Sequence, residues 1–102
     1  MKLIKELSHR IEEELCDAEW YATKALENRD DRSDLADTYY ALSLDEMKHM
    51  TLLHNIVVKL IEEVRKSGKE IPVGMEEFYD YLHQKHIEKA KEVRILQTMY
   101  RE

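Results

Sequence analysis

The chain has 102 residues and a formal net charge of −6; 37% of its residues are charged, two are glycine and one is proline. A chain of this size forms one domain with one core, and the scarcity of turn residues favours long helices over a β fold. The acidic balance argues against a nucleic-acid partner. No apolar run reaches membrane-spanning length, so no membrane partner is expected. The single cysteine, Cys16, cannot form an intrachain disulfide, which fits a cytoplasmic protein.

The first predicted helix covers about residues 3–28. Positions spaced by three and four residues form one stripe that is apolar except for a single acid. That stripe consists of Ile4, Leu7, Ile11, Glu14, Ala18, Tyr21 and Ala25. Glu14 therefore occupies a position that the pattern predicts to be buried. Asp17 lies at the edge of the stripe, and the other acids of this helix are expected in solvent.

The second predicted helix covers about residues 33–67 and follows a short polar break, where Asp31 or Ser33 is expected to cap it. Its predicted apolar stripe is interrupted at Glu46 and His49, which lie one helical turn apart on one face. The stripe consists of Leu35, Tyr39, Leu42, Glu46, His49, Leu53, Ile56 and Leu60. Because burying a carboxylate without a partner is very costly, the pattern predicts a cation beside it.

The short break makes the first two helices antiparallel neighbours. Glu14 precedes the break by about as many residues as Glu46 follows it, so both lie roughly 21–23 Å from the turn at about 1.5 Å per residue. Glu14, Glu46 and His49 are therefore predicted to face one another at one level of the hairpin. We call these three residues the carboxylate–histidine cluster.

A loop over residues 68–74 separates the hairpin from a third predicted helix at about residues 75–100. His86 lies on the apolar face of this helix, whose other positions include Phe78, Leu82, Ala90, Val93, Leu96 and Tyr100. The prediction is therefore a single all-α domain over residues 1–102, built from an antiparallel helical hairpin and a third long helix.

One Glu on a helix and Glu-x-x-His on the next make half of a di-metal carboxylate site, which in full takes one Glu from each of two helices and Glu-x-x-His from each of two others. Carboxylate and imidazole ligands suit iron, and four carboxylates balance two ferrous ions. Only Glu46 and His49 supply this motif on a predicted apolar stripe. We therefore expect a homodimer, or a larger even oligomer, in which two hairpins form a four-helix bundle with two Fe per dimer. Zn or Mn would also fit this ligand set.

Two sequence motifs carry a resemblance to a known superfamily. The first is EELCDAEWY at residues 13–21, and the second is DEMKH at residues 45–49. Over roughly residues 8–66 the chain resembles the ferritin-like superfamily, and within it the half-length members with one Glu-x-x-His per chain, such as the encapsulated ferritins. It is also similar to small rubrerythrin-like proteins of bacteria and their phages. In the encapsulated ferritins a helix-one Glu precedes a Trp-Tyr pair as Glu14 precedes Trp20 and Tyr21, which favours Glu14 as the ligand.

The resemblance implies iron binding at a dimer interface and oxidation of Fe(II) by dioxygen or peroxide, for iron storage or detoxification. The implied metal ligands are Glu14, Glu46 and His49, and the implied activity is a ferroxidase-type oxidoreductase. The chain departs from the relatives in two respects: it has no CxxC pair for a rubredoxin-type centre, and its third helix is longer than that of encapsulated ferritins. The sequence identifies no redox partner.

Two alternatives stay open from the sequence. In the first alternative, the chain is a non-enzymatic helical interaction module, phage-related or regulatory, that keeps a structural or vestigial metal site. Alternatively, the third helix would fold over its own hairpin, and His86 would join the carboxylate–histidine cluster in a mononuclear zinc or iron site within one chain. Asp17 is a further candidate ligand because it lies at the edge of the stripe that contains Glu14.

Overall fold

A computed structural model describes residues 2–102, which form three α-helices and no strand. The helices are α1 at Lys2–Asn28, α2 at Ser33–Lys66 and α3 at Met75–Arg101. Each bound lies within one residue of the predicted one, and the all-α class is confirmed. The molecule is a rod that extends 57 Å along its long axis and 17 Å along each of the other two.

The two connections between helices differ in backbone hydrogen bonding and conformation. Ser33 is already the first residue of α2, and Arg32 before it makes no side-chain capping bond, so the predicted cap by Asp31 or Ser33 is wrong. Ala36 N–H instead donates to the Arg32 carbonyl at 2.9 Å. After α2, Gly68 adopts a φ of +73°, a left-handed conformation that glycine tolerates best and that commonly ends helices.

The α1–α2 hairpin buries the predicted stripe of α1 but a different stripe of α2. Ile4, Ile11, Ala18 and Ala25 are buried as predicted. In α2 the buried residues lie on the neighbouring stripe: Ala36, Ser43, Met47, Met50 and Val57. The prediction that the leucine-rich stripe is the buried one is wrong for the single chain. The small and flexible residues of the neighbouring stripe allow α2 to approach the other helices more closely. The leucine-rich stripe lies at the edge of the hairpin instead.

α3 packs mainly along α1 and makes fewer contacts with α2. Its buried residues are Tyr79, His86, Val93 and Gln97, so Val93 is confirmed as a core residue, whereas Phe78 is 40% exposed and its neighbour Tyr79 is buried instead. At one end, the Arg65 guanidinium donates to both carboxylate oxygens of Glu76, at 3.0 and 2.6 Å.

At the other end of α3, the Tyr100 hydroxyl donates to Asp37 Oδ1 at 2.5 Å, and its ring stacks on that of Tyr40. The hydrogen bond to Asp37 raises the pKa of Tyr100 to about 12, because the carboxylate stabilises the protonated hydroxyl. Both ends of α3 are thus bonded to α2.

A small polar group joins all three helices, about ten residues from the turn between α1 and α2. The buried Ser43 hydroxyl donates to the Ala18 carbonyl at 2.7 Å and accepts from the Gln97 amide at 2.9 Å. Such a group costs little to bury because its hydrogen bonds are made internally. Within residues 2–102, no helix carries an apolar stretch long enough to cross a bilayer.

Candidate metal centre

The carboxylate–histidine cluster assembles across the hairpin at the level predicted from the turn. One ligand atom from each of Glu14, Glu46 and His49 lies within 4.8 Å of the other two. His49 Nδ1 is 3.6 Å from Glu14 Oε2 and 3.9 Å from Glu46 Oε1. Three side chains from two helices thus present two hard oxygen ligands and one imidazole nitrogen to a common point.

The two carboxylates are largely shielded from solvent, whereas the imidazole is more exposed. The exposed fraction of the side chain is 11% for Glu14, 19% for Glu46 and 57% for His49. Arg10, one turn earlier in α1, places Nη2 3.3 Å from Glu14 Oε1, while its Nη1 lies 2.6 Å from the exposed Glu13. Within residues 2–102, Arg10 is therefore the only lysine or arginine that forms an ion pair with the cluster, and it is shared with Glu13.

The cluster lies on the side of the hairpin away from α3. Two residues along an α-helix turn through about 200°, so Glu12 and Glu14 point to nearly opposite sides of α1. Glu12 faces α3, where His86 Nε2 lies 3.6 Å from its Oε1. Glu14 consequently points away from α3, and its largely buried side chain lies beside the half-exposed leucine-rich stripe of α2.

The other candidate ligands lie elsewhere. His86 is buried between α3 and α1 on the Glu12 side, so the fold does not bring it to Glu14, and the single-chain site that includes it is not assembled. Asp17 is exposed and is not part of the cluster. A second Glu-x-x-His, from Glu6 to His9, lies on exposed surface of α1.

An aromatic group adjoins the cluster on the side nearer the turn. The Trp20 ring meets Tyr21 and Tyr39 edge-on, with both centroid distances 5.6 Å, and the two tyrosine rings stack at 6.1 Å. Tyr21 and Tyr39 follow Glu14 and precede Glu46 by one heptad, so they cover one end of the cluster. Trp20 remains 52% exposed, which leaves the outer edge of this aromatic group uncovered.

Apolar side chains continue from the cluster toward the other end of the hairpin. Leu52 of α2 is 66% exposed, Ile56 is 48% exposed, and Leu3 of α1 is 52% exposed. Half-buried Leu7, Leu53 and Leu60 lie among them. We call this surface, with the cluster and the aromatic group, the hairpin face. Grouped apolar side chains that are exposed in this way make the hairpin face a candidate interaction surface.

Sequence patterns alone did not indicate that His54 and His83 meet. They belong to different helices, and their contact depends on where α3 lies against the hairpin. A cluster of histidines on separate helices becomes visible only once the helix packing is known.

No protein-family model, curated protein or solved structure matches the chain.

Proposed function

We propose that this chain is a ferritin-like di-iron carboxylate protein, in which two copies pair through the hairpin face and oxidise Fe(II). The observation that carries the proposal is the convergence of Glu14, Glu46 and His49 within 4.8 Å on a hairpin face that is otherwise largely apolar. Two carboxylates and an imidazole that meet at one point form a ligand set that a bound cation would stabilise.

The charges at the cluster favour a divalent cation. Glu14 and Glu46 bring two negative charges together, while Arg10 neutralises only part of one, because it also binds Glu13. An ion with hard-oxygen and imidazole preferences would relieve the repulsion between the two carboxylates. Iron, manganese and zinc all meet this description, and the pairing of carboxylates with one histidine per half-site favours iron.

A second copy would complete the site. One chain provides half of the ligands of a di-metal carboxylate centre, namely two Glu and one His. A two-fold axis through the cluster would bring the other half from the partner, and both hairpins would then form a four-helix bundle. The exposed Leu3, Leu52 and Ile56 would be buried in the same contact, while α3 would stay on the outside of each hairpin.

The chemistry follows from the ligand set. Ferrous iron is the proposed substrate: two ferrous ions give up one electron each, and dioxygen takes both electrons with two protons and leaves as hydrogen peroxide. Glu14 and Glu46 would bind the ions before and after oxidation, and His49 would supply a neutral nitrogen ligand that adds no charge. The hairpin contact would exclude bulk water, which strengthens these electrostatic interactions.

Anaerobic loading with Fe(II) tests the proposal. The wild-type protein should bind about one iron per chain, as expected for two metals shared by two half-sites. Glu46→Gln should abolish this binding, because it removes one carboxylate at nearly constant volume. Asp45→Asn is the matched control, since it makes the same charge change at an exposed neighbouring position and should load normally. Unchanged loading in Glu46→Gln would contradict the proposal.

Oxygen consumption then separates catalysis from a structural role. After loading, the addition of dioxygen should give Fe(II) oxidation well above the rate of Fe(II) in buffer, and Glu46→Gln should return the rate to that background. Tight binding without oxygen uptake would instead support the interaction module with a structural metal. In that case metal removal would lower the melting temperature and abolish no turnover.

A further inference from the structure

A cavity of about 210 Å³ lies where α3 meets α1 and α2, and it is apolar at its floor and charged at its mouth. The floor comes from α1, where Ile4, Ser8 and Ile11 are 2%, 5% and 0% exposed. Apolar side chains of the other two helices continue the walls: Val57, Val58, Ile61 and Leu82. The exposed carboxylates of Asp80 and Glu62 stand at the mouth. We call this space the interhelical cavity.

Ser8 is the one polar residue in the floor of the interhelical cavity. Its side chain lies between Ile4 and Ile11 along α1, and its hydroxyl makes no hydrogen bond with any of residues 2–102. Buried hydroxyls normally have a partner, as that of Ser43 has, because an unsatisfied one costs free energy. The Ser8 hydroxyl is therefore available to a molecule inside the cavity.

The mouth of the cavity carries negative charge. Arg65 is the only lysine or arginine among the described residues that line the cavity, and its guanidinium already donates to both carboxylate oxygens of Glu76. The pKa of Arg65 is raised chiefly by these hydrogen bonds and further by Asp80 and Glu62, so three carboxylates share one cation. A positive group at the mouth would relieve this excess, whereas an anionic group would add to it.

Two histidines of the cavity wall form a stacked pair. The rings of His54 and His83 lie with their centroids 4.9 Å apart and their planes 21° from parallel. Burial, and then the proximity of His83 and His86, lower the pKa of His54, so its ring is neutral at pH 7 and adds no positive charge. The pair therefore extends the apolar wall with aromatic surface, on which the ring of a ligand can pack.

We propose that the interhelical cavity binds a small organic cation, namely a primary amine joined by a short chain to a hydroxylated aromatic ring. An apolar cavity of about 150 Å³ holds benzene, so a cavity of about 210 Å³ has room for one substituted ring. The ring would pack on Ile11 and Val57, and its hydroxyl would bond Ser8. The ammonium group would lie at the mouth, beside Asp80 and Glu62.

Methyl NMR titration of the metal-free protein tests the site, with tyramine as the probe. The methyl signals of Ile4, Ile11 and Val57 should shift and saturate at one tyramine per chain, with a dissociation constant in the millimolar range or below. The anionic analogue para-hydroxyphenylacetate should cause no saturable shift. Phenethylamine, which lacks the ring hydroxyl, should bind about 2–10-fold more weakly, because it leaves the Ser8 hydroxyl without a partner.

Two variants and a matched control test the individual contacts. Asp80→Asn should weaken tyramine binding by up to about fivefold, the loss expected for one exposed ion pair. Glu77→Gln, which removes an exposed acid of α3 that does not line the cavity, should leave the binding unchanged. Ser8→Ala should bind tyramine and phenethylamine equally, because the ring hydroxyl then has no partner in the floor.

The outcome is independent of the iron proposal, because Glu46→Gln alters only the carboxylate–histidine cluster and should bind tyramine as the wild type does. The absence of saturable tyramine shifts at the cavity methyl groups would overturn the site. So would equal binding of tyramine and para-hydroxyphenylacetate, or tyramine binding that neither Asp80→Asn nor Ser8→Ala weakens.

Discussion

Two polar groups interrupt the apolar packing of α1 against α2, and they differ in how they are satisfied. Ser43, with the Ala18 carbonyl and the Gln97 amide, forms a closed set of hydrogen bonds at 2.7 and 2.9 Å. Glu14 and Glu46, with His49, converge without comparable bonds to one another and face away from α3. The hydrogen bonds of the first group account for its burial, and the second group is the one to which we assign a metal and a partner chain in the proposal above.

The difference separates a structural role from a ligand-binding role. Ser43 and Gln97 fix the position of α3 relative to the hairpin, so their removal should weaken the fold. Carboxylates that repel each other weaken the metal-free fold, and metal binding is the role that we propose for Glu14 and Glu46. Substitutions in the two groups should therefore change the free energy of unfolding of the metal-free protein in opposite directions. A charge introduced on the hairpin face should prevent pairing of two chains, whereas a charge introduced on the exposed side of α3 should not.

The largest effect is expected from a charge placed on the hairpin face. Ile56→Glu should prevent pairing of two chains, because the new carboxylate would be buried without a partner in the contact. Sedimentation velocity should show monomers, and iron loading should fall because each chain keeps only half of the ligands. Ile95→Glu, at an exposed isoleucine of α3, should leave both the dimer and the loading unchanged. Monomers in the wild-type protein at micromolar concentration would count against the pairing.

The next largest effect concerns the closed polar group. Ser43→Ala should lower the free energy of unfolding by about 1–3 kcal/mol, because the buried Gln97 amide loses its acceptor. Thr51→Ala removes a hydroxyl that bonds the Met47 carbonyl on exposed surface of α2, and should change the free energy by less than about 0.5 kcal/mol. Urea unfolding of metal-free protein measures both, and equal losses in the two variants would show that the polar group does not join the helices.

A smaller effect of opposite sign is expected in the carboxylate–histidine cluster. Glu46→Gln should raise the free energy of unfolding of the metal-free protein by up to about 1 kcal/mol, because it relieves the repulsion from Glu14. With iron present the order should reverse, since only the wild-type protein gains stability from the bound ions. Urea unfolding with and without Fe(II) tests the reversal, and Asp45→Asn should show neither change.

The smallest expected effect is a pH dependence of stability, which comes from His86, buried between α1 and α3. Burial lowers the pKa of His86, opposed by the nearby Glu12 carboxylate and reinforced by His83 and Lys85. A folded-state pKa below the unfolded value of about 6.5 means that His86 contributes stability above that pH, which is lost as the pH falls below it. His86→Gln should therefore flatten the fall in melting temperature between about pH 7 and pH 5, and His9→Gln should not.

The sequence was sufficient for much of this architecture because the signals are local. Helix ends at Asn28 and Lys66 follow from polar breaks and Gly68, and the equal distances of Glu14 and Glu46 from the turn bring them together in any antiparallel hairpin. Which stripe of α2 is buried could not be read from hydrophobicity, because the stripe richest in leucine lies on the hairpin face. The position of α3, and with it the contact between His54 and His83, depends on long-range packing.

The central claim is that two chains share one di-iron centre, and anomalous scattering at the iron edge tests it most directly. Crystals of the iron-loaded protein should show two iron peaks astride a two-fold axis, bound by Glu14, Glu46 and His49 of both copies. Iron bound by these residues of a single chain, or anomalous peaks at other residues only, would contradict the account.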